Sequence, residues 1–175
     1  MADYKKISIY DKHLKSPFIS ELLEIEVNSR KRIIGSRNPN YIIDSESGEV
    51  NGITALAVYE KVDREKFTKV YNKGITQLFN LSKSGIKVFG YLTTVAKPNQ
   101  GEVLFEIEDC MEYTGYKTAK AIMKGLSELL ENDFIARTKH HYKYFINPTM
   151  FFNGSRVAFI KVYEQIETDE QKKIS

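Results

Sequence analysis

Three lysines, Lys117, Lys120 and Lys124, recur at steps of three and four residues, so a helix would set them on one face. Ammonium groups in such a row neutralise phosphates and release their counterions, which is the chemistry of nucleic-acid binding. Thr118 and Ala121 flank the row. Both are small enough to let a backbone approach, and their methyl groups suit a thymine, so they are candidate base readers. A second group, Arg137, Lys139, His140, His141 and Lys143, falls between Ile135 and Asn147, a stretch without an acid. It supplies cations for the phosphate backbone, and Arg137 alone is shaped for bidentate contact with a base edge. A third group, Arg30, Lys31, Arg32 and Arg37, sits in an acid-free run from Asn28 to Asn40. Four cations there would suit an arm that follows DNA, or an edge kept soluble.

Catalytic chemistry finds little support. Adjacent residues of a strand face opposite ways, so His140 and His141 do not aim at one metal. Tyr113 and Lys117 have the spacing of a DNA-nicking pair, yet that chemistry needs two His separated by an apolar residue. The single cysteine, Cys110, has no partner nearby in sequence and reads as a small buried residue. No glycine-rich phosphate cradle is present. The expectation is a protein without enzymatic activity, metal or cofactor.

The elements that must carry these residues follow from periodicity. From Tyr116 to Asn132, Ala119, Ile122, Met123, Leu126, Leu129 and Leu130 centre opposite the lysine row at about 100° per residue, which predicts an amphipathic helix. Phe134 to Arg137 and Tyr142 to Ile146 read as strands around Thr138-Lys139-His140-His141, a hairpin with a basic tip. Upstream, Phe67, Val70, Tyr71, Ile75, Leu78 and Phe79 predict a helix after an Asp63 cap. Ser82 caps another, with Ile86, Phe89, Leu92, Val95 and Ala96 on one face until Pro98. Val103 to Ile107 reads as a short strand and Glu108 to Tyr113 as a short helix ending at Thr114-Gly115. This order is that of a winged helix, in which the second helix of a helix-turn-helix enters the major groove and a β-hairpin wing lies beside it.

The 175 residues have room for one ordinary domain. Residues 1–62 read as an N-terminal extension, 63–163 as the winged-helix domain and 164–175 as a flexible tail. Within the extension, Tyr41 to Asp44 and Glu49-Val50 flank a hairpin loop, and Ile53 to Val62 reads as a strand. Ser16-Pro17 could open a helix carrying Phe18, Leu22 and Ile25, while Leu23, Ile25 and Val27 alternate as in a strand. The fold class expected is α+β, a winged helix-turn-helix with a β-rich extension. No apolar stretch approaches membrane-spanning length, no signal peptide is seen, and one cysteine suits a reducing cytoplasm.

From about Tyr41 to Tyr163 the chain also resembles the RepL-type replication proteins of plasmids and some phages. The resemblance rests on Asp44-Ser45-Glu46-Ser47-Gly48-Glu49-Val50, Phe67 to Tyr71, Leu81 to Gly85, Thr114-Gly115-Tyr116-Lys117-Thr118 and Leu129 to Arg137. Its most distinctive part is Tyr144 to Pro148 followed by Phe152-Asn153-Gly154-Ser155-Arg156, where the family often carries an acid in place of Ser155. The resemblance implies a protein that recognises double-stranded DNA at an origin or operator and recruits host replication proteins, without a cofactor. A homodimer is a further candidate partner. The same fold serves transcriptional regulators and protein-contact modules, so those readings stand beside it.

Overall fold

The structure, a computed structural model, describes residues 4–25, 41–43, 50–53, 67–160 and 162–163. Its contacts form two units, Met1–Glu26 with Lys66–Ser175, and Val27–Glu65. The boundary thus differs from the division at residue 62. Residues 4–25 belong with the winged helix because they add a strand to its sheet and bury Phe18 against Ala136 and Phe145 of that sheet.

In chain order the larger unit opens with a 3-10 turn (Ile7–Ile9), β1 (Lys12–His13) and α1 (Ile19–Leu23). The smaller unit contains β2 (Tyr41–Ile43) and β3 (Val50–Ile53), an antiparallel hairpin with a register shift between Ile42 and Ile43. Its loop and the continuation through residues 54–62 lie outside the described residues. Then come β4 (Lys69–Val70), α2 (Asn72–Leu78), α3 (Lys83–Val95), β5 (Glu102–Leu104), α4 (Ile107–Thr114), α5 (Ala119–Glu131), β6 (Ile135–Thr138), β7 (Lys143–Ile146) and β8 (Phe151–Phe152). Residues 156–160 are helical. The main sheet runs β1-β6-β7-β5, with β1 parallel to β6 and the other pairs antiparallel. Helices α3, α4 and α5 with β5 and the β6-β7 hairpin make the winged helix; β1 is an added edge.

Several boundaries differ from the periodic reading. The expected Asp63 cap lies outside the described residues, and the helix begins at Asn72 instead. Lys69 and Val70 pair as a strand with Phe152 and Phe151, and the Tyr71 N–H donates to the Met150 carbonyl at 2.9 Å. That pairing overrides the local helical pattern; Phe67, ahead of the strand, is 62% exposed, and Phe79, at the C-cap of α2, is 82% exposed. Ile86 is likewise exposed, because α3 turns Val88, Phe89, Tyr91 and Leu92 inward. Strand β5 stops at Leu104: the next N–H, of Phe105, donates to Tyr142 O at 2.7 Å, and α4 follows at once from an extended Glu106. Within the ambiguous Ser16 to Val27 segment Ile19–Leu23 is helical, while Val27 lies outside the described residues.

Helix α5 forms within the span its periodicity predicts, from Ala119 to Glu131, with Ile122, Leu126, Leu129 and Leu130 buried. It packs on α3 through Gly125. A Cβ there would stand 2.6 Å from Ser84 O and 2.7 Å from Val88 Cγ2, so only hydrogen allows the helices this close. In an exposed helix, Gly→Ala would stabilise by about 1 kcal/mol. Here Gly125→Ala is expected to destabilise by roughly 1–3 kcal/mol through overpacking. Urea unfolding checks it: an unchanged or raised midpoint would contradict the close crossing.

The α3 N-terminus is closed from α5. Ser82 accepts from the Gly85 N–H and donates to Glu128 Oε1 at 2.7 Å, while the Ser82 N–H donates to Glu128 Oε2 at 2.9 Å. The carboxylate satisfies N-terminal donors and complements the helix dipole. Behind it, Phe89 meets Phe134 and Phe151 with ring centroids 5.3 and 5.1 Å apart, anchoring the β8 end to the helix core.

Candidate nucleic-acid interface

The turn between α4 and α5 is built by Thr114 and Gly115. Thr114, buried, donates its hydroxyl to Cys110 O at 2.6 Å, and Gly115 takes φ +73°, the left-handed conformation that ends a helix. Lys87 of α3 donates to Thr114 O and lies over the Tyr116 ring, 4.8 Å from its centroid. Thr118, extended, is the N-cap of α5. The helix therefore begins at Ala119, later than Tyr116, and Lys117 and Thr118 stand in the turn that leads into it. Ala119, expected on the apolar face, is exposed, since the first turn projects beyond the core.

Lys117, Thr118, Ala119 and Lys120 are all exposed, Ala121 is half-buried, and no acid stands in the first turn of α5. In a helix-turn-helix this is the end of the second helix that meets base edges. Lys124 is placed differently: half-exposed, it lies 3.8 Å from Glu128 Oε1, the carboxylate that closes α3. Proximity to that anion leaves it less charge to offer a phosphate than Lys117 and Lys120 have.

The wing carries Lys139, His140, His141 and Tyr142 exposed at its tip. Its turn is organised by Thr138, a buried hydroxyl that accepts from the His140 N–H at 3.0 Å and lies 2.9 Å from Lys143 O. Tyr142 adopts φ +64°. Thr138 has no signal in the sequence, since its role depends on which carbonyls the folded turn presents. Lys143 forms an ion pair with Glu102 across the β5-β7 pair. Arg137 is half-buried, and its guanidinium donates to Tyr10 O at 2.6 Å and Ser8 O at 3.3 Å. Of the second cationic group, then, Lys139, His140 and His141 stand open at the wing tip, while Arg137 and Lys143 are engaged within the fold. Arg30, Lys31, Arg32 and Arg37 lie outside the described residues.

Cys110 is fully buried, and desolvation pushes its thiol up to about 12. A thiol in that state is a packing group rather than a nucleophile. Among the described residues no three His, Cys, Asp or Glu side chains form a metal-binding group, and no helix is long and apolar enough to cross a membrane.

The family model of the Firmicute plasmid replication protein (RepL) matches residues 27–175. The chain belongs to the RepL family. It is 30% identical over 165 residues to a protein of Zymomonas mobilis subsp. mobilis described as a 20.9 kDa protein, covering 88% of this chain and 89% of that one. No solved structure matches the chain. The RepL family is one of plasmid replication proteins, and its winged-helix architecture is the one found here.

The RepL-like residues after the wing are architectural. Asn147, almost wholly buried, donates to Asp133 O at 2.8 Å and accepts from both the N–H and the hydroxyl of Thr149. Asn153 donates to Ala96 O at 2.7 Å, and Asn99 accepts from the Ser155 N–H at 2.8 Å. The Arg156 guanidinium lies 3.9 Å from the centre of the Tyr71 ring. These contacts weld the end of α3 and the start of α2 to the chain that follows β7.

Proposed function

We propose that this RepL family member binds double-stranded DNA of its own replicon and promotes replication by recruiting host replication proteins, with no catalytic step or cofactor of its own. The observation that carries DNA binding is the exposed, acid-free first turn of α5, with Lys120 opposite the buried Ile122-Leu126-Leu129 stripe and Lys117 exposed in the turn that leads into it. In this reading Thr118 and Ala121 approach base edges, because both are small and sit at the projecting end of the helix. Lys139, His140 and His141 hold backbone beside it, since a wing tip of cations and imidazoles favours phosphates over a particular base. Arg30, Lys31, Arg32 and Arg37 add further phosphate contacts as an arm. Membership of a plasmid replication family directs the reading toward an origin.

Footprinting on the plasmid that carries the gene tests it. Protection is expected inside the replication origin, with two protected half-sites about 34 Å apart if a homodimer binds. Protection confined to a promoter would instead make the protein a regulator, and absence of binding at low salt would remove DNA from its function.

A further inference from the structure

The N-terminal segment Lys5–His13 touches both elements that the proposed function assigns to DNA. At its beginning it is fastened to α5. Ser127, 1% exposed, donates its hydroxyl to Lys5 O at 2.7 Å, and the Tyr10 hydroxyl lies 3.3 Å from both Ser127 O and Ser127 Oγ. Lys5 also pairs with Glu131 at 2.5 Å, one helical turn further along. At its end the segment is fastened to the wing. Lys12 and His13 pair in parallel with Arg137 and Thr138, and Arg137 binds the carbonyls of Ser8 and Tyr10.

Tyr10 is the point where the two attachments meet: its side chain is on α5 and its carbonyl on Arg137. The base of the hairpin already shares the core of α5 through Phe134, Ile135 and Ile146, and the Phe134 N–H donates to Leu129 O at 3.0 Å. The strap adds a second fastening on the outer side, hydrogen-bonded to α5 at Ser127 and to the hairpin at Arg137. The family match begins at residue 27, so this strap lies ahead of it.

We infer that residues 5–13 form a brace that sets the wing relative to the recognition helix, and that Arg137 is a positioning residue acting through this brace rather than on DNA. The inference rests on the proposed DNA-binding reading for its consequence, though the brace itself is observable without DNA. Two surfaces that must meet one duplex together bind best when their separation is set in advance, because the ordering cost is not met again on binding. The parallel β1-β6 pairing also covers the outer edge of the wing, which would otherwise present an open row of donors and acceptors.

A double-mutant cycle in the full chain separates positioning from contact. One arm is Arg137→Met; the other is Tyr10→Phe with Ser127→Ala, which removes the hydroxyls between strap and α5 while preserving every charge. Each arm is expected to lower affinity for an origin fragment about fivefold to tenfold, and the combined variant is expected to fall little further. If Arg137 touched DNA directly the losses would multiply, and that outcome overturns its positioning role. A gain in affinity on loosening the strap would make it an inhibitor and overturn the brace.

Amide exchange of residues 135–138 and 143–146 in the free protein reads the brace independently. The Tyr10→Phe, Ser127→Ala variant is expected to exchange about tenfold faster there, while the α3 core exchanges as before. Unchanged exchange in the wing overturns the brace, whatever the DNA result. Conversely, if the unaltered chain binds no DNA, the interface reading fails while the exchange result still decides the brace.

Discussion

Replacing Lys117 and Lys120 together by Glu is expected to lower affinity for plasmid DNA by about two orders of magnitude, with the fold intact. Lys120 is exposed in the first turn of α5 and Lys117 in the turn that leads into it, so reversal leaves the buried Ile122-Leu126-Leu129 stripe undisturbed. The loss has two parts. Two phosphate contacts disappear, which should make the slope of log affinity against log salt shallower by about 1.8. Two carboxylates are also brought against the phosphates, and that repulsion is largest at low salt. Lys124→Glu is the contrasting variant. Because Lys124 neighbours Glu128, its reversal removes less attraction for DNA and instead crowds the carboxylate that caps α3. It should lower the melting temperature, whereas the Lys117, Lys120 pair should not. Salt titrations of affinity alongside thermal melts decide the matter. Unchanged affinity in the Lys117→Glu, Lys120→Glu protein would mean that α5 does not enter DNA.

Ile122→Asp is expected to unfold the larger unit, at a cost of at least about 4 kcal/mol against the roughly 5–15 kcal/mol that holds such domains together. Ile122 is fully buried on the α5 face that forms the core. A carboxylate there loses its hydration without a cation in place, and either the charge or the packing must yield. Lys120 and Lys124 cannot rescue it, since they emerge from other faces of the helix. Ile122→Val removes one methylene and should cost only about 1 kcal/mol. Circular dichroism and urea midpoints on the two variants distinguish loss of volume from burial of charge. An Ile122→Asp protein that melted normally would show that this face is not the core.

Elements held by local periodicity were legible in the sequence. The apolar stripe of α5 separates from its lysines, the Thr114-Gly115 turn announces the end of α4, and the β6-β7 hairpin stands between turn residues. Together they specify a winged helix and the side of α5 that faces outward, because amphipathic segments can bury their apolar faces in few ways. The Ser82 cap was equally readable, although the Glu128 carboxylate that completes it stands 46 positions away.

Where a distant strand competes for the same backbone, local reading fails. Val70 and Tyr71 have the spacing of a helix, yet their partners are Phe151 and Met150. The same limit governs the candidate site. Residue type identified Lys117, Lys120, Lys139, His140 and His141 as cations or imidazoles that could meet phosphate, and the fold leaves them exposed. Type could not show that Arg137 is held by a carbonyl 127 positions earlier, or that Thr138 orders the wing turn. Hydropathy and charge are properties of a residue and its near neighbours, so the sequence alone marks the inward face of α5, while Ile86 and Ala119, read onto apolar faces, stand exposed. Whether a given cation is open to a ligand or already engaged depends on carbonyls and carboxylates that only the folded chain brings within hydrogen-bonding reach.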